Sequence, residues 1–293
     1  MKRTFCRKFM GNGQSAVWVF LMALTLLLAG CANQSLPKVM YYPFSISADW
    51  QFRGDTIRVA LNNPLQAPLR FYIQSTQDAV QVYLDSPTPI TLMAQADTTL
   101  EWIVPQTLLD TTALSISVKY GDLNKEIQAE PIGLPFASGR TYSIIQGNNG
   151  SFSHHSTWSR YAVDISLKTN DTVCAATDGY VVGLINQYTK SGSGKEWMPY
   201  ANFITLYNPA TGVFTSYVHL RKDGTLVQLG DWVKRGQAIG LVGLTGQTDV
   251  EHLHFSCLMP STDKEGMRSI PFQFETGQPS EALKRGDTLR RDL

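Results

Sequence analysis

Two histidines set two residues apart, His252 and His254, stand in Glu251-His252-Leu253-His254-Phe255-Ser256, near the end of a β-rich stretch. On a strand, successive side chains alternate faces. Both imidazoles therefore project from one side, about 7 Å apart, while Leu253 and Phe255 take the apolar side. That geometry suits a metal ion together with an acid or a base. All five histidines of the 293 residues (His154, His155, His219, His252 and His254) lie between positions 154 and 254, a clustering that favours a site over scatter. One carboxylate belongs with them. Asp164 sits among apolar neighbours in Tyr161-Ala162-Val163-Asp164-Ile165, and a buried Asp needs a partner or a metal. His154 and His155 fall in a polar segment, and His219 ends the strand pattern Thr215-Ser216-Tyr217-Val218-His219. Two histidines and one carboxylate make a catalytic zinc set that leaves the fourth position to water or substrate, with two further histidines near enough to move protons.

The elements that must hold these residues are strands. From Tyr41 onward, apolar residues alternate with polar ones in Ile57-Val59-Leu61, Leu69-Phe71-Ile73, Val80-Val82-Leu84, Leu100-Trp102-Val104 and Leu114-Ile116-Val118. Turn signals separate the runs at Arg53-Gly54-Asp55, Asn62-Asn63-Pro64, Asp85-Ser86-Pro87 and Tyr120-Gly121-Asp122. Such spacing predicts a small antiparallel β-sandwich over residues 41–130. It holds no histidine, which suits a spacer or interaction module better than a second catalytic site. Pro131-Ile132-Gly133-Leu134-Pro135 marks a boundary that a strand ladder does not cross comfortably. A second β region follows over 131–275, with turn signals at Asp178-Gly179, Asn208–Gly212 and Lys234-Arg235-Gly236. A Gly/Ser-rich loop carrying Trp197 either walls a groove or is a surface insertion. Residues 276–293 are charged and without periodicity, and read as a loose tail.

The N-terminus reads differently. Lys2, Arg3, Arg7 and Lys8 precede an apolar run from Val17 to Leu28, then Ala29-Gly30-Cys31. The order of basic, apolar and small residues describes a signal peptide over 1–30. Its run, about 12 residues, is shorter than the ~20 a spanning helix needs. Leu28-Ala29-Gly30-Cys31 resembles a bacterial lipobox, which implies a lipid on Cys31, a tether over 31–40 and a stable membrane anchor. Ala32 after that cysteine resembles sorting to the periplasmic face of a Gram-negative outer membrane. Removing four of the 25 Lys and Arg, and no acidic residue, leaves 21 against 24, a net charge of −3. No basic block remains, which argues against a nucleic-acid partner. Cys174 and Cys257 are the remaining cysteines, open either to a disulfide or to burial as small apolar residues.

Several ordered segments in the second half resemble the lysostaphin/LytM-type zinc metalloendopeptidases that cut peptide bonds in bacterial peptidoglycan. They are Gln146-Gly147-Asn148-Asn149-Gly150-Ser151-Phe152-Ser153-His154, Tyr161–Asp164, Ala175–Val182, Tyr217–Leu220, Gly230–Gly240, Gly243–Gly246 and His252–Phe255. The resemblance implies an all-β chain: the N-terminal β-sandwich, then a LytM-type antiparallel β-sheet peptidase domain. It places the Zn2+ ligands on His154, Asp164 and His254 and the non-ligand catalytic histidines on His219 and His252. His155 competes with His154 for the first position, and the preceding Phe-Ser favours His154. Asp249-Val250-Glu251 stands where relatives often carry a small Gly/Pro turn, and Cys257 where an aliphatic residue is common. The function implied is hydrolysis of peptidoglycan cross-links or stem peptides. The alternative is a catalytically inactive relative that binds cell wall or activates amidases, and a regulatory protein partner is a further expectation.

Overall fold

The computed structural model describes residues 35–75, 77–84, 89–108 and 114–292, almost entirely as β-strand and connecting turns. The signal segment and Cys31 lie outside the described residues. Contacts divide the chain into residues 1–36 and residues 37–293, and the architecture below is that of the second unit.

Its first part contributes two three-stranded antiparallel sheets. One takes β1 (Ser47–Arg53), β2 (Thr56–Asn62) and β5 (Asp97–Ile103), and the other β3 (Leu69–Ser75), β4 (Ile90–Leu92) and β6 (Leu114–Tyr120). Ile57, Val59 and Leu61 of β2 and Leu69, Phe71 and Ile73 of β3 are buried in one core, as their period of two requires. The Val80–Leu84 run corrects the expectation of a strand. It forms a helical turn, α1 (Asp78–Gln81), followed by a 3-10 turn at Val82–Leu84. Val80 and Leu84 are four apart, so they share a face of a helix as well as of a strand. Val82, with 68% of its surface exposed, shows which period is real. The Asp85-Ser86-Pro87 turn lies outside the described residues.

The second part is built on one large sheet, a three-stranded one and a short parallel pair. In chain order its strands are β7 (Arg140–Gln146), β8 (Val163–Ile165), β9 (Thr172–Cys174), β10 (Gly179–Ile185), β11 (Ser191–Gly192), β12 (Phe203–Tyr207) and β13 (Phe214–Val218). Then come β14 (Leu220–Thr225), β15 (Trp232–Val233), β16 (Ala238–Val242), β17 (Gly246–Gln247), β18 (Leu253–Pro260), β19 (Met267–Ile270) and β20 (Thr288–Arg291). The large sheet runs β15-β10-β12-β13-β18-β8-β7-β20, with β19 also paired to β18, and the small one runs β14-β16-β9. Odd-numbered residues of β18 (Leu253, Phe255, Cys257) join Val163, Ile165 and Tyr217 in a core shared with Val173, Ile239 and Val242 of the small sheet. Even-numbered residues face the other way. His254 and Ser256 occupy one end of that second face, and Leu258 at the other end joins the first core with Phe214 and Val182. The alternation of β18 thus changes character along one strand, from site to packing.

Two expectations about the second half need revision. Residues 276–292 are not loose, because β20 pairs antiparallel with β7 as the outermost strand of the sheet, and Leu283 and Leu289 are buried. Each such leucine contributes about 1.5–3 kcal/mol when buried. The segment has no period because it brings little apolar surface of its own. Its partner is an edge that already exists. Cys174 and Cys257 are both buried and both free thiols, and burial pushes each thiol's pKa up.

A buried cation ties the two parts together. Arg70 of β3 is fully buried. It donates from Nε and Nη2 to the Tyr120 carbonyl at 3.2 and 2.8 Å, and from Nη1 to the Ser261 carbonyl at 2.8 Å. Nη2 also donates to the Gly266 carbonyl. Ser261 and Gly266 close the turn between β18 and β19, so a guanidinium from the first part organises the hairpin of the histidine-bearing strand. Arg70→Met leaves two buried carbonyls and one half-buried one short of a donor, each worth roughly 1–3 kcal/mol. At about 3 kcal/mol, the lower end of that sum, the melting temperature is expected to fall by about 6–12 °C at 2–4 °C per kcal/mol, and a shift within about 1 °C contradicts this role.

Candidate metal centre

Asp164 is the middle residue of the short strand β8, and its register partner across the ladder is His254 on β18. Both point to the face opposite the apolar core, which follows from the alternation of Val163 and Ile165 with Asp164. His154 comes from the turn-rich loop after β7. That loop is closed by Asn149 N–H to the Arg160 carbonyl at 2.8 Å, His154 N–H to the Gly150 carbonyl at 3.0 Å and Ser159 Oγ–H to the Ser153 carbonyl at 2.6 Å. His219 follows β13 directly and has φ of 70°, a left-handed conformation uncommon outside glycine. The Gly243 N–H holds its carbonyl at 2.9 Å. His252 precedes β18 on the same face as His254.

The side chains converge on Asp164 Oδ1. His254 Nδ1 lies 2.8 Å from it, His154 Nε2 3.1 Å and His252 Nε2 3.5 Å. His154 Nε2 and His254 Nδ1 are 3.2 Å apart, and His219 stacks obliquely on His252 with ring centroids separated by 4.5 Å. Three rings are oriented from behind. The Nδ1 atoms of His154, His219 and His252 meet the carbonyls of Gly147, Thr245 and Val250 at 2.8, 2.7 and 3.0 Å. A carbonyl only accepts, so each Nδ1 carries a proton, and in the neutral tautomer so fixed the lone pair is on Nε2. The His154 lone pair then faces the Asp164 carboxylate. Two acceptors at 3.1 Å require a proton or a cation between them.

A metal fits this demand. Among the described residues, His154, Asp164 and His254 are grouped with one donor atom each, all within 4.8 Å of one another. Tetrahedral ligands at about 2.0–2.1 Å from a centre stand roughly 3.3 Å apart, close to the observed 2.8–3.2 Å. Backbone carbonyls behind metal-binding imidazoles are the usual orienting partners.

Electrostatics separates the titrating groups. Burial by itself would raise the Asp164 carboxyl, but the His252 charge and hydrogen bonds from His154, His252 and His254 hold it well below the usual range. Burial pulls His252 down, yet the Asp164 charge and hydrogen bond carry it above its ordinary value. His219 is held well below its ordinary value by burial and then by His252 and His254. Burial also lowers His254, against the pull of Asp164.

The centre is the floor of an open groove with a cavity of about 520 Å³. Phe152 and Trp158 contribute to its lining from the His154 loop, Lys195 and Met198 from the Trp197 loop, and Asp249 and Arg285 from two further segments. The Trp197 loop thus lines the groove, with Trp197 itself buried. Arg285 arrives through the folded C-terminal segment, whose Leu283 carbonyl lies so close to Gly147 that a Cβ there would come within 2.1 Å. The structure brings His154, Asp164, His219, His252 and His254 together, and leaves His155 exposed in the groove lining. Sequence reasoning missed Gln146 as a neighbour of Asp164, and the Thr245 and Val250 carbonyls behind the rings. Main-chain acceptors leave no residue signature.

An all-β architecture with a buried His–Asp–His cluster at the base of a groove defines a candidate metallohydrolase. Residues 159–264 match Peptidase family M23. The matched stretch holds Asp164, His219, His252 and His254 and begins downstream of His154. The chain is 38% identical over 71 residues to the peptidoglycan DD-endopeptidase ShyB of Vibrio cholerae, covering 24% of this chain and 16% of that protein. It is 33% identical over 122 residues to the glycyl-glycine endopeptidase ALE-1 of Staphylococcus capitis, covering 41% of this chain and 30% of that one. It thus spans less than a third of the length of these relatives. The catalytic domain of lysostaphin from Staphylococcus simulans is 25% identical, over 47% of this chain and 86% of that one, with a TM-score of 0.30.

Proposed function

We propose that this protein is a zinc-dependent endopeptidase that hydrolyses peptide bonds in the cross-links or stem peptides of bacterial peptidoglycan. The observation that carries the reading is the meeting of His154 Nε2, Asp164 Oδ1 and His254 Nδ1 at 2.8–3.2 Å, with His219 and His252 beside them on an open groove floor. Two imidazoles and one carboxylate are the donor set of a catalytic zinc, which supplies Lewis-acid activation of a carbonyl and of water. The rest is work for the chain. With their Nδ1 protons fixed on backbone carbonyls, His219 and His252 leave Nε2 as the ring atom that can exchange a proton beside the centre. One takes the proton of the attacking water, and the other stabilises the oxyanion or protonates the leaving amine. Both rings are themselves buried, which strengthens both roles.

Peptidoglycan as substrate is supported by the named activities of the relatives. The rival, an inactive regulator of cell-wall amidases, has no need of five converging side chains and is disfavoured by them. Purified protein incubated with peptidoglycan should release peptide fragments with new amino termini; intact stem peptides with new glycan ends would refute the assignment.

Lipid attachment rests on the sequence alone: Leu28-Ala29-Gly30-Cys31 supports acylation of Cys31 and anchoring at the periplasmic face of the outer membrane. Cys31→Ser should block acylation and leave unprocessed precursor. A Cys31→Ser protein that is processed and released normally sinks that part of the proposal.

A further inference from the structure

Asp164 gives its two oxygens to different neighbours. Oδ1 is the oxygen on which the three histidines converge. Oδ2 is met by Gln146, whose Nε2 donates to it at 3.1 Å. Gln146 holds the last position of β7, and its ladder partner is Asp164 itself. The other proton of the same Nε2 goes to Ser153 Oγ at 2.8 Å, and the carboxamide oxygen accepts the Phe152 N–H at 3.3 Å. These partners fix the orientation of the amide, since a carboxylate only accepts and a backbone N–H only donates. One carboxamide therefore connects the carboxylate of β8 to the loop that ends at His154. The loop makes room for it: a Cβ on Gly150 would fall 2.3 Å from Gln146 Cγ.

We propose that Gln146 is the positioning residue of the metal centre, occupying Asp164 Oδ2 so that the carboxylate offers the metal a single oxygen. Its bonds to Ser153 and Phe152 also set where His154 Nε2 falls relative to that oxygen. This rests on the reading of His154, Asp164 and His254 as the metal-holding set. Two features make glutamine suited to the place. A carboxylate that turned both oxygens inward would take two coordination positions and crowd the one that water or substrate needs. An uncharged donor restrains Oδ2 without neutralising the carboxylate, whereas Lys or Arg there would compete with the metal for its charge. Gln146 does not act on the substrate in this account. It acts through Asp164 and His154.

The test measures metal affinity rather than activity alone. Zinc dissociation constants for the wild-type protein, Gln146→Leu, Ser153→Ala and Asp164→Ala are read by competition with a chromophoric chelator. The cobalt-substituted proteins supply a coordination-sensitive absorption spectrum, and thermal melts of the metal-free forms report folding. Gln146→Leu should bind zinc about 10–100-fold more weakly, the range typical of lost outer-sphere partners. Its cobalt bands should weaken as the released carboxylate binds through both oxygens. Ser153→Ala keeps the bond to Oδ2 but frees the loop, and should weaken binding by a smaller factor, and it carries the test if Gln146→Leu does not fold. Wild-type affinity and an unchanged cobalt spectrum in the folded variants would overturn the role of Gln146. Wild-type protein that binds zinc no better than Asp164→Ala would overturn the metal-centre reading itself, and the proposal with it.

Discussion

Asp164→Ala and His254→Ala proteins are expected to lose their bound metal and all measurable peptidoglycan cleavage together. Each change removes one of three donor atoms that stand 2.8–3.2 Å apart, and two donors do not make a catalytic zinc site. Asp164→Ala carries a second consequence. It also removes the charge that His252 and His254 face, at 3.5 and 2.8 Å. Desolvation then acts on His254 without opposition and on His252 against only the Val250 carbonyl and the Asp249 charge, and both are driven toward the neutral form. His154→Ala should behave as His254→Ala does, while His155→Ala should keep its metal, because His155 is exposed and outside the cluster. Elemental analysis of the purified variants decides the matter. A His155→Ala protein without metal would displace His154 from its assigned place.

The second large effect separates proton carriers from metal holders. His219→Ala and His252→Ala should retain about one zinc per chain yet turn over about 10²–10⁴-fold more slowly, the contribution typical of general acid–base groups. The geometry supports the distinction. His252 Nε2 stands farther from Asp164 Oδ1 than the donor atoms of His154 and His254 do, and neither His219 nor His252 belongs to the group of donor atoms that close on one point. His219 is held in place by a left-handed backbone conformation that the Gly243 N–H secures. Zinc content measured beside cleavage rate tests both residues. Full activity in either variant would remove its catalytic role, and loss of zinc from His252→Ala would mean that the two histidines of this strand exchange places.

The strand carrying His252 and His254 is legible because its alternation is strict: Leu253, Phe255 and Cys257 are apolar and enter the core. Asp164 is legible for the converse reason, a carboxylate set among Ala162, Val163 and Ile165. Adjacent histidines in a loop have no such period, and only the fold separates His154 from His155. Arg70 shows another limit. Its place between Leu69 and Phe71 assigns it to the solvent face of β3, but that face is covered by the turn between β18 and β19. The strand β20 hides behind a single apolar residue, Leu289, and a partner far away in sequence. Val80–Leu84 deceives because a spacing of four satisfies both periods. Gln146 stands within a segment that resembles the family, yet its role depends on which strand lies beside β7, and that is a property of topology.

The most direct test of the whole account is a chelation and restoration experiment on the purified protein. Peptidoglycan is digested by the metal-loaded form, by the form stripped with a chelator, and by the stripped form given back one equivalent of zinc, with products identified by mass. The account predicts peptide-bond cleavage in the first, none in the second, and recovery in the third. Cleavage that persists after stripping, or zinc-loaded protein that leaves peptidoglycan intact, would contradict it.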